Sequence, residues 1–476
     1  MQDIVTTTKQ GLQWSAIERL LTQAVQLAIT LILARAIGPV AFGLVGMLAV
    51  FIAIANTFVD SGFTSALIRK TDHTDNDLVT AFYYNILVSS FCYLILYSSA
   101  PYIADFYQQS ELQSLLRVLG LCVLINSFTL IPRVKLTVVM DFKTQAKISI
   151  ISVLISGITA LILAANGYGV WSLVIQTLLT AICNTLLFNV FSPWRPKGKL
   201  NKESFNYLFG FGSKLLISGL LDVIYNNLYQ IIIGKKFTPV VVGEFSQANQ
   251  LASVPAMTLT SIIQRVTFPI FSQLQKDSDK IEDAYRLTLK IAALVIFPLI
   301  MGLAIIAQPL LTLILGSQWQ AVASLLSILC IGYMLYPIHS INLNLLQVKG
   351  RSDLFLKLEV IKKIVGVTIL LATTPFGVLV MCIGLGITSY IALLLNTYYT
   401  ARLTSISQWR QCKDLLPIWL AVIASASIAY WIGSYWQKTP LLQMTVSLIT
   451  ASICYTVYLV MAQKPLLTKI RFALHR

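Results

Sequence analysis

Fourteen long apolar segments, separated by short polar connections, run along the chain. Each spans about 20 residues or more, the length that a helix needs to cross the roughly 30 Å hydrocarbon core of a bilayer. Turn-forming pairs such as Gly38-Pro39 and Thr238-Pro239 lie between them. The pattern predicts an all-α polytopic membrane protein with about 14 transmembrane helices. The segments lie near residues 11–34, 40–64, 78–102, 113–134, 145–165, 169–191, 206–233, 240–268, 287–314, 319–346, 354–374, 376–400, 414–434 and 440–461.

Composition narrows the class of protein. Hydrophobic residues make up 57% of the 476 positions and charged residues 11%, against about 25% charged residues in an average soluble domain. So little charge cannot cover a globule of this size, which argues against a soluble enzyme, a disordered chain and a nucleic-acid-binding protein. The 7 cysteines and 3 histidines are scattered. We therefore expect no disulfide framework, no zinc site and no bound cofactor.

The basic residues indicate how the chain is threaded through the membrane. With the N-terminus inside, 28 of the 35 Lys and Arg residues fall in or beside inner connections and 4 in outer ones. Lys and Arg concentrate on the cytoplasmic side of membrane proteins. The sequence therefore predicts a multi-pass protein of the bacterial cytoplasmic (inner) membrane with both termini in the cytoplasm. This distribution also explains the net charge of +16 without a nucleic-acid partner.

A repeat at an offset of 200 residues divides the chain. Residues 30–43, TLILARAIGPVAFG, match residues 230–243, QIIIGKKFTPVVVG, including the proline and the last glycine. Both stretches join the first two helices of a six-helix block, so the repeat is parallel, an arrangement found in transporters with a central site. The predicted organisation is an N-terminal lobe at 1–191, a basic cytoplasmic linker at 192–204, a C-terminal lobe at 205–402, and two further helices with a basic tail at 403–476.

Polar residues inside the apolar segments are the candidate functional residues, because they are costly in lipid and usually face a cavity or another helix. In the seventh segment they recur at every fourth position and form one face about 24 Å long. Its members are Lys214, Ser218, Asp222, Asn226 and Gln230. The first segment carries the matching positions Glu18, Thr22, Gln26 and Thr30, with Arg19 and Gln23 beside them. Two matched stripes with embedded charges favour a hydrated central cavity, and hydrogen bonding between helices is the alternative.

Two neighbouring segments add polar positions to the predicted cavity. They are Asn56 and Asp60 in the second segment and Gln247, Asn249 and Arg265 in the eighth. The two charged residues fall near the inner ends of their helices, where a side chain that reaches water is the alternative. Protonation of Glu18 and Asp222 in turn would couple transport to a proton gradient, whereas ion pairing with a neighbouring Lys or Arg would not. A Na⁺ gradient and the membrane potential are the alternative driving forces.

Several stretches also carry a family resemblance. The segment from Gly11 to Lys70, which begins GLQWSAIERLLTQAV and ends FVDSGFTSALIRK, resembles the start of bacterial oligosaccharide flippases. These form the polysaccharide transporter (Wzx-type) family of the multidrug/oligosaccharidyl-lipid/polysaccharide exporter (MOP) superfamily, and the likeness is greatest to its colanic-acid-type members. The same resemblance is carried by APYIADFYQQSEL, LINSFTLIPRVKLTVVMDFKTQAKISI and GYGVWSLVIQ, which begin at Ala100, Leu124 and Gly167.

The resemblance implies two six-helix lobes, plus two extra helices, with alternating access to a central cavity. The implied substrate is an undecaprenyl-diphosphate-linked oligosaccharide, moved from the cytoplasmic to the periplasmic leaflet for exopolysaccharide, O-antigen or capsule synthesis. Implied partners are membrane lipids and the glycosyltransferases and polymerase of the same pathway. Arg19, Lys214 and Arg265 are the candidate diphosphate ligands, assigned by helix. The thirteenth and fourteenth segments are candidates for a lipid-tail groove.

Two other functions are alternatives. A cation-coupled drug exporter of the MATE type shares the superfamily fold, and a membrane-embedded polysaccharide polymerase is the different class. The chain has no GxxxxGK[ST] phosphate loop, so it is not an ATP-driven pump by itself. Its predicted outer connections are too short to carry a catalytic domain, which favours a transporter over an enzyme.

Overall fold

The computed structural model of the chain describes residues 2–60, 62–70, 72–436 and 439–464, with side chains from Leu21 onward. These residues form helices and short connections, with no strand among them, so the all-α prediction is confirmed. The first eight helices are α1 Gln2–Asp60, α2 Phe63–Arg69, α3 Asp75–Tyr107, α4 Glu111–Ser127, α5 Leu130–Val138, α6 Phe142–Ala165, α7 Val170–Phe191 and α8 Lys202–Lys236. The others are α9 Pro239–Leu274, α10 Ser278–Ile305, α11 Ala307–Ile314, α12 Gln320–Tyr333, α13 Tyr336–Val348, α14 Ser352–Thr373, α15 Val378–Ala401, α16 Gln408–Gly433 and α17 Pro440–Ala462.

Each predicted apolar segment lies on one helix or on a consecutive pair of helices. In the part of the chain that the structure describes, 10 helices are long and apolar enough to cross a membrane, or 11 if the pair α4–α5, bent by 45°, forms one span. The chain is therefore a multi-pass membrane protein, and the number 14 stays a prediction. Helix α14 is not among them because its first half, Ser352 to Lys363, contains five charged residues, the last of which is Lys363 itself.

The repeat forms a reciprocal crossing of two helix starts. Gly38 breaks α1 with a φ of 77°, and the chain continues as a helix from Pro39, while Pro239 begins α9. A Cβ on Gly43 would overlap the carbonyl oxygen of Pro239, and a Cβ on Gly243 would overlap that of Pro39. Matched positions of the two repeats thus pack on each other symmetrically, and only glycine allows this approach.

Helix starts differ between the two predicted sides of the membrane. Five helices that begin on the predicted inner side carry a side-chain N-cap. The capping side chain accepts a hydrogen bond from a backbone amide of the first turn, which has no partner within the helix. The caps are Thr74, Asp141, Asn201, Asp277 and Ser407. Several helices of the opposite direction begin at glycine or proline instead: α7 after Gly169, α15 after Gly377, α9 at Pro239 and α17 at Pro440.

The chain packs into two compact units, one up to Gly243 and one from Glu244 onward. In the first unit α1 packs on α6, α3, α4 and α8, and α6 packs on α7. In the second unit α10 packs on α16 and α12, α15 packs on α12 and α14, and α16 packs on α17. The lobe boundaries predicted above remain predictions.

A small apolar core fixes the short helices α2 and α5 in the first unit. Phe63, Leu67, Ile131, Val134 and Leu208 are buried together, at the junction of α2, α5 and α8. The adjoining residues 192–204 dock on the start of α3, where the Lys199 amide donates to Asn76 Oδ1 and the Asn201 amide donates to Thr80 Oγ1. The predicted linker is therefore held against the first unit in this structure.

The reciprocal crossing yields a stability prediction. Gly43→Ala places a methyl group against a backbone carbonyl that cannot rotate away, so the helices must move apart; we expect a loss of about 2–3 kcal/mol and a clear fall in Tm in detergent. Gly210→Ala in α8 is the matched control, because its new methyl meets no atom within 4 Å. The control should be neutral or slightly stabilising, by up to about 1 kcal/mol. Equal melting curves for both variants would contradict the crossing.

Candidate functional site

A polar cavity of about 550 Å³ lies among the helices of the first unit. Helices α1, α2, α3, α4, α5 and α7 each contribute to its wall. The polar lining residues are Asn56, Thr57, Asp60, Thr64, Asn85, Asn126, Thr129, Arg133 and Asn184. Such a volume is in the range of small-molecule sites, about 300–1,000 Å³.

Breaks in two helices place these side chains around one space. Helix α1 ends at Asp60 and the chain turns at Gly62, whose φ is 68°, before α2 begins. Close to this turn, Asn56 and Asp60 lie one helical turn apart, so both face the cavity. The 45° bend between α4 and α5 places Thr129 at the elbow and Arg133 one turn further on.

The threonine hydroxyls of the cavity all donate their hydrogen bonds to groups of the protein itself. Thr57 Oγ1 donates to the Ala53 carbonyl at 2.8 Å, and Thr64 Oγ1 donates to Asp60 Oδ1 at 2.7 Å. Thr129 Oγ1 lies 2.8 Å from Thr185 Oγ1, whose own proton goes to the Ile125 carbonyl at 3.0 Å. Because a hydroxyl has one proton, Thr129 is the donor of that pair. These hydroxyls therefore offer lone pairs, and no protons, to a ligand.

Two asparagines add acceptors that have no partner within the protein. The Oδ1 atoms of Asn85 and Asn184 are buried and accept no hydrogen bond, and Asn85 is only 2% exposed. A buried acceptor left unsatisfied costs about 1–3 kcal/mol. Both side chains contribute to the cavity wall, although these two oxygens have no surface that a ligand in the cavity could reach.

Charges of both signs complete the cavity. Asp60 is exposed and accepts from Thr64. The exposed Arg133 has its guanidinium 5.5 Å from the centre of the Phe188 ring, so the ring face supports the cation. Within the described residues, no group of three His, Cys, Asp or Glu side chains could hold a metal ion.

Among the predicted site residues whose side chains the structure describes, Asn56 and Asp60 alone line this cavity. On α8 the predicted stripe lies on the surface of the chain: four of its members are exposed and Gln230 is half-buried. On α1, Thr22, Gln23 and Gln26 are half-buried, and Thr22 Oγ1 has no partner. The side chains of Glu18 and Arg19 lie outside the described residues.

The remaining predicted residues belong to the second unit. Asn249 Oδ1 accepts from the Tyr333 hydroxyl at 2.7 Å, which is a contact between helices. Gln247 is buried with an unpartnered Oε1, while Arg265 is exposed. The prediction that these residues line a substrate cavity stays a prediction.

Sequence reasoning missed Asn85, Asn126, Thr129, Arg133 and Asn184. Asn126, Thr129 and Arg133 share one predicted segment at helical spacing, and Asn184 follows Gln176 and Thr180 at every fourth position. This spacing is the signal that could have found them, because polar side chains in lipid are costly.

A second polar cluster, also missed from the sequence, ties four helices of the second unit together. The Tyr285 hydroxyl lies 2.7 Å from Asn342 Oδ1 and 2.8 Å from Gln411 Oε1. Thr400 Oγ1 also donates to Asn342, and the Gln411 amide donates to the carbonyls of Thr397 and Ile406. We call this set, with the ion pairs below, the α16 anchor.

Charged groups extend the α16 anchor. Arg286 contacts both oxygens of Asp414, at 2.7 and 3.0 Å, and Lys290 lies 2.9 Å from the same carboxylate. Glu282, 7% exposed, accepts from the amide and hydroxyl of Ser405. The anchor joins the beginning of α16 to α10, with α13 and α15 beside it.

An apolar groove of about 590 Å³ lies further along the same helices. It is formed by α10, α16 and α17. Its lining includes Leu294, Pro298, Leu299, Ile306, Val422 and Leu448. The groove and the α16 anchor thus occupy different stretches of α10 and α16.

Known structures share this fold. The lipid II flippase MurJ, in an inward closed conformation, superposes with a TM-score of 0.73 at 15% identity, covering 94% of this chain and 98% of that one. An inward-facing multidrug resistance MATE family transporter gives 0.61 at 16% identity, covering 82% and 98%. The chain therefore has a MurJ/MATE-like helical fold, as predicted.

Sequence comparison places the chain more narrowly. It belongs to the polysaccharide biosynthesis protein family, whose pattern matches residues 32–324. The teichuronic acid biosynthesis protein TuaB of Bacillus subtilis is 26% identical over 414 residues, 86% of each protein. The lipopolysaccharide biosynthesis protein WzxC of Escherichia coli is 25% identical over 425 residues, 87% of this chain and 84% of that protein. The family resemblance inferred from the sequence is confirmed.

The α16 anchor yields a prediction with an internal control. Asp414→Asn removes the carboxylate that pairs with both Arg286 and Lys290. Removing one partner of a buried ion pair costs about 3–5 kcal/mol, and partial exposure of the cations reduces the expected loss to about 2 kcal/mol. The melting temperature in detergent should fall by about 4–8 °C.

The matched control is Asp353→Asn. This residue pairs with Arg351 at 2.8 Å on the surface, where both side chains are largely exposed. Exposed pairs contribute about 0–1 kcal/mol, so its melting temperature should scarcely change. A fall as large as that of Asp414→Asn would refute the special role of the anchor.

Proposed function

We propose that this protein is a flippase for lipid-linked oligosaccharides. It would move undecaprenyl-diphosphate-linked repeat units from the cytoplasmic to the periplasmic leaflet of the bacterial inner membrane, for the synthesis of an exported polysaccharide. The single observation that carries the proposal is a cavity of about 550 Å³ lined by amides, hydroxyls and two charged side chains. It lies among helices that include several long and apolar enough to cross a membrane. The names of the relatives support it: two act in polysaccharide synthesis, ExoT of Rhizobium meliloti is a succinoglycan transport protein, and MurJ is a flippase.

Physical chemistry explains why such a substrate needs this protein. An oligosaccharide and a diphosphate lose their hydration when they enter hydrocarbon, at a cost of several kcal/mol for each unpaired polar group. Polar side chains inside the helices replace that water. Cationic side chains balance the diphosphate, and for this role Lys214 and Arg265, both exposed on their helices, remain our candidates together with Arg19.

The lipid tail needs an apolar surface instead. The groove of α10, α16 and α17 offers one, about 590 Å³ in volume. We propose that it holds part of the polyprenyl chain while the head group moves. Both termini would lie in the cytoplasm, as the distribution of Lys and Arg indicates. Coupling to an H⁺ or Na⁺ gradient or to the membrane potential is part of the same proposal.

Deletion of the gene tests the proposed function. Lipid-linked repeat units should accumulate in the inner leaflet, and surface polysaccharide should be lost. Altered sensitivity to cationic drugs without a polymer defect would favour a drug exporter. Sugar transfer by the purified protein in vitro would favour a polymerase. Either outcome, without accumulation of lipid-linked units, would overturn the proposal.

The groove yields a separate prediction. Gly302 lies on its wall, and a Cβ there would come no closer than 4.0 Å to another atom, Leu448 Cδ2. Gly302→Leu therefore has room at its Cβ and extends into the groove, and we expect export to fall at least fivefold while the folded protein is recovered in normal amount. Gly302→Ala is the control and should export normally. Normal export by the leucine variant would rule out a tail in this groove.

A further inference from the structure

We propose that His339 binds the proton that couples transport to a proton gradient, and that Asn396 holds the ring in both of its protonation states. Because the proposed function leaves the driving force open, this assignment rests on that function and adds one ion and one residue to it. Three features of the second unit support it: a broken membrane-spanning segment, the hydrogen bonds of the ring, and the charges around the ring.

A break interrupts one apolar segment of the second unit close to His339. Residues Ser317–Val348 are together long and apolar enough to span a membrane, but α12 ends at Tyr333 and α13 begins at Tyr336. Pro337 favours the break, because it has no amide proton to give to the Tyr333 carbonyl. His339 lies about 14 Å from the end of α13, near the middle of a hydrocarbon core about 30 Å thick. Broken helices near the midplane form the ion sites of many transporters.

The hydrogen bonds of the ring fix its neutral form. Ser389 Oγ donates its single proton to the Gly332 carbonyl at 2.9 Å, so it accepts from His339 Nε2–H, 3.1 Å away. Nδ1 is then the unprotonated nitrogen, and it accepts from the Asn396 amide NH₂ at 3.2 Å. Glycine at position 332 allows α12 and α15 to approach this closely, because a Cβ there would lie 3.1 Å from the Gly386 Cα. The imidazole is therefore neutral in this conformation.

Asn396 can also hold the protonated ring. It is fully buried, and its Oδ1 has no partner. When hydronium gives a proton to the lone pair of Nδ1, water leaves and the new N–H faces the amide NH₂, donor to donor. A half turn of the amide about its Cβ–Cγ bond brings Oδ1 to this N–H, and loss of the proton to water reverses the turn. One asparagine thus offers the ring a hydrogen bond in both states.

The charges around the ring determine when a proton binds. Lys362 on α14 is close enough for its charge to oppose a second cation on His339, and it is itself paired with Glu359. On α10 the ionic side chains of the α16 anchor are bonded to Ser405 and Asp414. The other charged residues of α10 and α14 are Asp279, Lys280, Asp283, Asp353, Lys357 and Lys363.

The remaining neighbours of the ring are uncharged. Helices α12, α13 and α15, all of them among the described residues, carry no Asp, Glu, Lys or Arg, and their other titratable groups are tyrosines and cysteines, neutral near pH 7. His339 is half-buried, so part of the residue remains accessible. The ring therefore stays neutral here and takes up a proton in a conformation that brings water or the Glu359 carboxylate closer to it.

A proton fits this site better than Na⁺ or a metal ion. Hard cations take several oxygen ligands, whereas the ring of His339 has one hydroxyl, one amide NH₂ group and the Lys362 cation around it. A transition metal needs further ligands, and no group of three His, Cys, Asp or Glu side chains suited to a metal occurs in the described part of the chain.

Transport by the purified protein in proteoliposomes tests the assignment. The probe is the host's own lipid-linked repeat unit, extracted from its membranes, and the membrane potential is clamped at zero with potassium and valinomycin. If one proton moves inward for each unit that moves outward, a gradient of about one pH unit should enrich the probe about tenfold in the leaflet that faces the acidic side. A pH-sensitive dye inside the vesicles should record proton movement that depends on the probe.

His339→Gln removes the titrating group and keeps an amide NH₂ that can donate to Ser389. We expect a melting temperature near that of the wild type, and an equal distribution of the probe between the leaflets in the same gradient. His73→Gln is the matched control. This histidine lies between α2 and α3, with Nδ1 3.2 Å from the Lys70 carbonyl, and its variant should keep the tenfold enrichment.

Asn396→Asp should act in the opposite direction, and it makes the test if His339→Gln is not recovered as folded protein. A carboxylate beside Nδ1 favours the imidazolium. Without a gradient, the pH at which transport is half-maximal should therefore rise by about one unit or more. A purely structural contact would lower the rate at every pH and leave that midpoint in place.

The outcomes separate this assignment from the proposed function. If the probe is flipped but a pH gradient does not change its distribution, or a sodium gradient alone changes it, proton coupling is refuted and the flippase stands. If His339→Gln keeps the wild-type enrichment, or Asn396→Asp leaves the midpoint unchanged, the proton binds elsewhere and the assignment is wrong. If the gene deletion accumulates no lipid-linked units and the proteoliposomes flip no probe, the flippase proposal fails and the assignment fails with it.

Discussion

Every polar group on a helix that crosses lipid must find its partner in the protein, in water or in a ligand, because hydrocarbon offers none. Polar clusters in both units meet that constraint within the protein. In the second unit, Tyr285 donates to Gln411 Oε1 while Thr400 donates to Asn342 Oδ1. In the first unit, the Thr57 and Thr64 hydroxyls donate to a carbonyl and to a carboxylate. These bonds fix the helices, and the polar atoms that remain accessible on the cavity wall are available to a ligand.

The character of that cavity follows from the geometry of helices. A threonine in a helix can donate to the carbonyl four residues earlier, as Thr57 does to Ala53. The hydroxyl proton is then used within the same helix, and the lone pairs of the oxygen remain available to another group. The hydroxyls of such a cavity therefore offer acceptors, whereas its asparagine NH₂ groups and Arg133 offer donors.

The sequence predicted the helices well because the physical signals are local. Apolar runs of membrane length and pairs such as Gly38-Pro39 mark the helices and their breaks. The 200-residue repeat predicted that Gly43 and Gly243 are equivalent, but their reciprocal packing depends on two helix starts that meet only in three dimensions. The lobe boundaries and the number of spans remain predictions.

The candidate site was predicted in part. Asn56 and Asp60 were recognised because they lie in one segment, one turn apart. Asn85 and Asn184 were not, because no spacing rule relates residues on separate helices, although Asn184 continues a four-residue spacing from Gln176 and Thr180 within its own segment. The stripe from Lys214 to Asn226 is a genuine helical face, since its members are exposed together, but periodicity gives the face of a helix and not what lies opposite it.

The helices α10 and α16 hold polar contacts at one end and an apolar groove further along. Arg286 and Asp414 lie toward the beginnings of α10 and α16, where charge and hydrogen bonds fix the two helices. Further along, Leu299 and Val422 line the groove, where only weak, non-directional contacts operate. An apolar chain can enter or leave such a groove without breaking a hydrogen bond, whereas any separation at the anchor would break the hydrogen bonds and ion pairs of three charged side chains. The polar contacts therefore fix the beginning of α16 against α10. The apolar contacts further along place no such restraint on α16, which is the property that the proposed lipid groove requires.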